Sequence, residues 1–152
     1  MTPSPIRARV VLEKSAWIRA ALDAIRALPI KSIDEFEQDS RNPSSAESYL
    51  RRGLEALLDL GRHILAKGFG RGVVQYKEIP AALSEYGVID AADALLMTDM
   101  AGYRNRLVHF YDEVSHEELY DICTRQLSDV ERVLDAILTW LRDHPEAIDG
   151  SI

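Results

Sequence analysis

The sequence has little of the material from which secreted, disordered or membrane-spanning chains are made. Cys123 is its one cysteine, so no internal disulfide can staple the fold, which fits a reducing compartment. Six prolines and eight glycines are too few for a linker, and no Ser/Gly/Pro-rich tract divides the chain into two composition regimes. One domain over residues 1–152, its core at about 8–143, is expected. No apolar run approaches the roughly 20 residues of a membrane-spanning helix. Pro3, Pro5, Arg7, Arg9 and Glu13 interrupt the segment where a signal peptide would carry its apolar stretch, so a soluble, cytoplasmic protein is expected. Positive charge is also scarce: 18 Lys and Arg stand against 25 Asp and Glu, for a net charge of −7. That excludes a broad, non-specific nucleic-acid coat, because neutralising phosphates requires a positive face. A local patch remains open, since Arg51, Arg52, Arg62, Lys67, Arg71, Arg104 and Arg106 are locally dense.

What is present is helical periodicity. Hydrophobic residues make up 47% of the chain and recur at three- and four-residue steps, with no stretch of period-two alternation, so the class is all-α. A first helix is expected from Arg7 to Leu28, with a stripe of Val11, Ile18, Leu22 and Ile25, Trp17 packing beside it and Pro29 ending it. Ser32 with Glu35 reads as a capping box opening a short helix that contains Phe36. Asn42 or Ser44 is expected to cap the next helix, which reaches about Lys67 along Leu50, Leu54, Leu57, Ile64 and Leu65. Gly61 would let a neighbouring backbone come close, and Gly68, Gly70 and Gly72 mark the end. An ordered connector with a helical piece around Glu78 to Tyr86 stops at Gly87. Asp90 caps a fourth long helix carrying Ala91, Leu95, Leu96, Met100, Leu107 and Val108 to about Tyr111. Ser115 with Glu118 opens the last, with Leu119, Ile122, Gln126, Val130, Val133, Ile137 and Leu141 on its stripe. Four such stripes are buried together most simply in an up-and-down four-helix bundle, with an additional short helix.

Chemistry concentrates at the end of the fourth helix, in Tyr103-Arg104-Asn105-Arg106-Leu107-Val108-His109-Phe110-Tyr111-Asp112. Histidine is the side chain whose unperturbed pKa lies nearest neutrality. Arginine supplies a planar, permanently charged fork suited to phosphate. On a regular helix Arg104 and His109 sit roughly 140° apart, so they meet one phosphate only if the helix end distorts or a second subunit contributes. A symmetric homodimer is the economical solution. Asn105, one turn before His109, is placed to fix its ring, and Arg106 to bind a flanking phosphate. Spacing alone also allows a solvated helix end whose cations face the macrodipole.

Arg104-x4-His109-x-Tyr111, inside that longer string, resembles the signature of HEPN-domain toxins of the HepT group. Asp34-Glu35-Phe36, the Leu-rich third segment, Ile79-Pro80 and Tyr86-Gly87-Val88-Ile89 extend the resemblance over roughly residues 8 to 143. The resemblance implies an HEPN-like bundle acting as a homodimeric ribonuclease toxin that requires no metal and no cofactor. Its partner would be an MNT-type nucleotidyltransferase antitoxin that transfers AMP to the motif tyrosine, Tyr111 here. Arg104 and His109 would be catalytic, with attack of a ribose 2′-hydroxyl on the adjacent phosphodiester of an RNA substrate. The alternative is a non-catalytic HEPN module that helps a nucleotidyltransferase bind its substrate.

Other candidates carry less. His109, Asp112 and His116 include metal-ligand types, but their spacing crosses a helix break and fits no metal motif. His63 reads as structural or exposed, and His144 as a terminal-loop residue. Gly68-Phe69-Gly70-Arg71-Gly72 lacks the preceding strand and following Gly-Lys-Ser/Thr of a phosphate loop. Capping accounts for Ser115, and Cys123 has no neighbour that would activate it.

Overall fold

The computed structural model describes residues 2–110 and 113–152. Its elements are α1 (Ala8–Arg26), α2 (Ile33–Gln38), α3 (Arg41–Phe69), a 3₁₀ turn (Tyr76–Glu78), α4 (Ile79–Glu85), α5 (Ala91–His109), α6 (His116–Asp121), a π turn (Ile122–Gln126), α7 (Leu127–Asp143) and a last 3₁₀ turn (Pro145–Ala147). The fold is all-α, with four long helical rods: α1, α3, α5 and the α6–π–α7 composite. Among the described residues no helix is long and apolar enough to cross a membrane.

The buried side chains form one cluster running from Ile6 through Leu57, Ile64, Met97 and Val133 to Leu141. α1 lies close on α3, where a Cβ added to Gly53 would stand 3.3 Å from the Ala21 Cβ. At Gly61 a Cβ would fall 2.8 Å from the Ile79 Cγ2 and 3.0 Å from the Leu83 Cδ1. The missing side chain therefore admits α4's side chains rather than a neighbouring backbone. α3 ends on Gly70, whose φ of 64° is left-handed, a conformation that costs glycine nothing. Side-chain caps start α2, α5 and α6: Ser32 accepts from the Glu35 N–H, Asp90 from Asp93 and Ser115 from Glu118. The expected caps of α3 are corrected. Asn42 lies inside its first turn, and the Asp39 carboxylate accepts from the Arg41 N–H at 2.9 Å.

Of the apolar residues expected on the stripes or packed beside them, Trp17, Ala91, Leu95 and Val108 face water instead. Trp17 is 58% exposed because it lies roughly 120° from the centre of the Val11–Ile18–Leu22–Ile25 stripe. Leu95 is 71% exposed, on the opposite side of α5 from Met97, Met100 and Ala101, which are buried. Asp93 takes an inward position instead and is matched by Arg132 of α7 at 2.8 Å.

The final rod departs from a regular helix. The π turn holds more than four residues in one turn, so Leu127 faces the core where a regular helix continued from Leu119 would bring Gln126, while Cys123, four residues after Leu119, is inward in either case. Burial pushes the Cys123 thiol up to about 12. The native protein is therefore expected to resist a thiol-specific reagent at neutral pH and to react only in denaturant. Rapid labelling of the folded protein would contradict that placement.

At the opposite end the termini meet. Ile6 and Ile148 form a parallel bridge, and the Asp149 carboxylate accepts from the Ala8 N–H at 2.8 Å, capping α1 where Arg7 offers no side-chain bond. His63 accepts from the Arg7 N–H at 3.1 Å. Its burial, with Lys67 and Arg7 close by, lowers its pKa and favours the neutral ring that can accept. His144 is likewise structural, stacked on Trp140 at 4.2 Å with its Nδ1 2.7 Å from the Trp140 carbonyl oxygen.

Candidate active site

α5 carries Arg104 toward α3 and the segment that precedes α4. The Arg104 Nε donates to Glu55 Oε1 at 3.1 Å, and its guanidinium lies 4.7 Å from the centroid of the Tyr76 ring. Its Nη1 donates to Asn105 Oδ1 at 3.2 Å, and the side chain is 20% exposed. A second guanidinium, Arg62 of α3, lies 4.6 Å from the same ring. The Tyr76 hydroxyl donates to Asp59 at 2.8 Å. Burial and the Asp59 charge raise its pKa, so the phenol stays protonated and keeps that bond. Glu55, Asp59 and Tyr76 thus fix Arg104 through its Nε and its face. Asn105 takes one Nη1 hydrogen, and among the described residues Nη2 and the other Nη1 hydrogen are left for an incoming anion.

The end of α5 opens on a cavity of about 570 Å³ whose wall includes Tyr76, Lys77, Arg104, Asn105, His109 and Phe110. Arg104 and His109 share it although they are far apart around the helix, because the cavity wraps the end of α5 and residues 74–77 form its other side. α5 remains helical through His109; neither a distorted end nor a second subunit is needed to bring both groups to one cavity. His109 is exposed, and its ring approaches Phe110 edge-on at 6.4 Å. The chemistry available is proton transfer by an imidazole beside a fixed guanidinium, a combination suited to phosphate transfer.

The sequence matches the family model described as Ribonuclease HepT-like over residues 18–137. The chain belongs to the HepT-like family. No curated sequence shows significant similarity to it. Among solved structures it resembles a tri-AMPylated Shewanella oneidensis HEPN toxin in complex with an MNT antitoxin, at 23% identity and a TM-score of 0.78, covering 86% of this chain and 97% of that one. A toxin–antitoxin crystal structure with AMP-PNP is similar at 22% identity and a TM-score of 0.75, covering 84% and 97%. The Bacillus subtilis cytosolic protein YutE is similar at 18% identity and a TM-score of 0.74, covering 93% of each chain.

Within this HepT-like chain the remaining motif residues separate. Asn105 gives its carbonyl oxygen to Arg104, so it steadies the guanidinium rather than the imidazole. Arg106 is turned away from the cavity, and a two-pronged pair with Glu118, at 2.5 and 3.0 Å, ties α5 to α6. A role for it in gripping a flanking phosphate is not what this pairing favours. Tyr103 packs under Arg106, 5.5 Å from its guanidinium, and burial raises its phenol pKa beyond any use at neutral pH. Tyr111, the residue expected to be modified, and Asp112, the middle member of the His109–Asp112–His116 set, lie outside the described residues. Among the described residues no cluster of three or more His, Cys, Asp or Glu is arranged to hold a metal ion.

Glu55, Tyr76 and Lys77 did not stand out in the sequence. Glu55 is 49 residues from its partner Arg104. The one available signal was Tyr76-Lys77, an aromatic–basic pair in the least regular segment of the chain.

Proposed function

We propose that this HepT-like protein is the toxin of a toxin–antitoxin pair, a metal-independent endoribonuclease in which Arg104 and His109 act on one RNA phosphodiester. The observation that carries the reading is the cavity these two residues share at the end of α5. His109 takes the proton of a ribose 2′-hydroxyl as its oxygen bonds to phosphorus and the bond to the 5′ oxygen breaks. Arg104 stabilises the charge on the phosphorane, and the departing 5′ oxygen takes a proton from a second histidine, which a homodimer would supply. Asn105 steadies Arg104, and Arg106 secures the helix end.

The partner is an MNT-type nucleotidyltransferase antitoxin, in keeping with the complex of the similar Shewanella oneidensis toxin. AMP on Tyr111, two residues past His109 in sequence, would add negative charge and bulk that compete with RNA for Arg104. Co-expression with such a partner is expected to give intact masses raised by AMP units, and Tyr111→Phe to remove them. The same adducts on the Tyr111→Phe protein would assign the modification to another residue.

The deciding experiment incubates partner-free protein with RNA in excess chelator, beside Arg104→Ala and His109→Ala variants. Cleavage by the wild type alone supports the nuclease. Equal cleavage by all three removes both residues from the mechanism, and RNA left intact by all three favours a non-catalytic module serving a nucleotidyltransferase.

A further inference from the structure

We propose that the strap formed by residues 73–77, together with Phe110, is a subsite for the nucleotide beside the scissile phosphate, with its base on Phe110 and Val74 and its phosphate on Lys77. This rests on the nuclease reading above and extends it to residues outside the Arg-x4-His motif.

The strap is held in place. Arg62 donates through Nε to the Val73 carbonyl at 3.0 Å, through Nη2 to the Val74 carbonyl at 2.8 Å and through Nη1 to Asp59 at 3.1 Å. Each of its three nitrogens donates a bond, so Arg62, although it too lines the cavity, serves first to hold the strap and keeps one hydrogen on each Nη. Val73 is buried beneath this grip, whereas Val74 is turned outward and 86% exposed. Phe110, 56% exposed, lies at the end of α5 on the other wall of the same cavity. Two apolar side chains held in water beside Arg104 and His109 contribute nothing to the core. A nucleobase offers the flat, half-apolar face that would cover them.

Lys77 supplies the charge. Its Cε runs along α5, 3.9 Å from where a Cβ on Gly102 would stand, and it lines the cavity. Among the described residues it is in no ion pair, unlike Arg62 and Arg104, which face Asp59 and Glu55. A cation in no ion pair among the described residues, one wall away from the Arg104–His109 pair, is suited to the next phosphate of a strand whose base is splayed against the apolar walls. The volume of about 570 Å³ falls within the roughly 300–1,000 Å³ of ordinary ligand clefts.

The test follows cleavage of a pool of short single-stranded RNAs, randomised around the cut, by wild type, Phe110→Ala and Lys77→Ala. Thermal melting serves as the folding control, because both residues are exposed. Phe110→Ala is expected to lower kcat/KM by roughly 5- to 150-fold, chiefly through KM, and to flatten the preference for the base beside the cut. Lys77→Ala is expected to raise KM, leave that preference intact and make the salt dependence shallower by about 0.7 in the log–log slope. Wild-type rates and cut sites in both variants would overturn the subsite while leaving Arg104 and His109 as the nuclease. A wild type that cuts nothing would remove both proposals.

Discussion

Arg104→Ala and His109→Ala proteins are each expected to cleave RNA at least about 100-fold more slowly than the wild type, the lower end of what a positioned proton-transfer group contributes. Neither change should cost much stability. His109 is exposed on the last turn of α5, and Arg104 packs at the rim of the bundle rather than in the core. For His109 the loss is of proton transfer and falls on kcat. For Arg104 it also removes the charge aligned by Glu55 and Tyr76, so KM rises with the fall in kcat. Arg104→Lys should recover little, because an ammonium cannot keep the Glu55 bond and face the Tyr76 ring while presenting two parallel donors to a phosphate. Combining the two alanines should slow the reaction by less than the product of the single effects, since the groups act on one transition state. Single-turnover rates on a defined RNA decide it, and a tenfold effect or less in both variants would place the chemistry elsewhere.

The largest expected effect on stability comes from Phe36→Ala, which should destabilise the protein by about 3–5 kcal/mol. α2 has six residues, too few to hold a helix in water by its own hydrogen bonds. What fastens it is Phe36, fully buried, its ring 5.7 Å from that of Tyr120 on α6. Tyr120 in turn donates to the Ile30 carbonyl at 3.1 Å, and Asn42 donates to the Glu35 carbonyl at 3.5 Å. Removing the ring leaves a void among α2, α3 and α6 that these lone bonds cannot close. Urea unfolding should show a lower midpoint. A change under about 1 kcal/mol would mean that the site collapses around the alanine, the case in which cavity costs are smallest.

Much of the bundle was visible in the sequence because its helices announce themselves locally. Ser32, Asp90 and Ser115 cap α2, α5 and α6 as their spacing implied. The misses share a cause, namely geometry set by a neighbour. The Asp39 carboxylate captured the start of α3 from Asn42 and Ser44, and one wide turn at Ile122–Gln126 moved the inward face of the last rod by a residue. The site divides in the same way. Arg104 and His109 were readable as chemistry, but the rule of 100° per residue put them on different faces and said nothing of a cavity that bends around a helix end. Its other wall comes from Tyr76 and Lys77, in a segment with no period to read, and the carboxylate that steadies Arg104 stands on a different helix.

The clasp between the chain's two ends makes the polypeptide nearly a closed ring. Backbone bonds from Ile6 to Ala147 and from Asp149 to Ile6, each near 3 Å, set the first and last helices side by side. Where ends adjoin in this way they can be covalently joined and new ones opened elsewhere. The exposed turn after Arg26 offers such an opening, far along the chain from the strap and from the end of α5. A permuted protein of that kind would keep every wall of the cavity while freeing Ile6 and Asp149 from service as a knot.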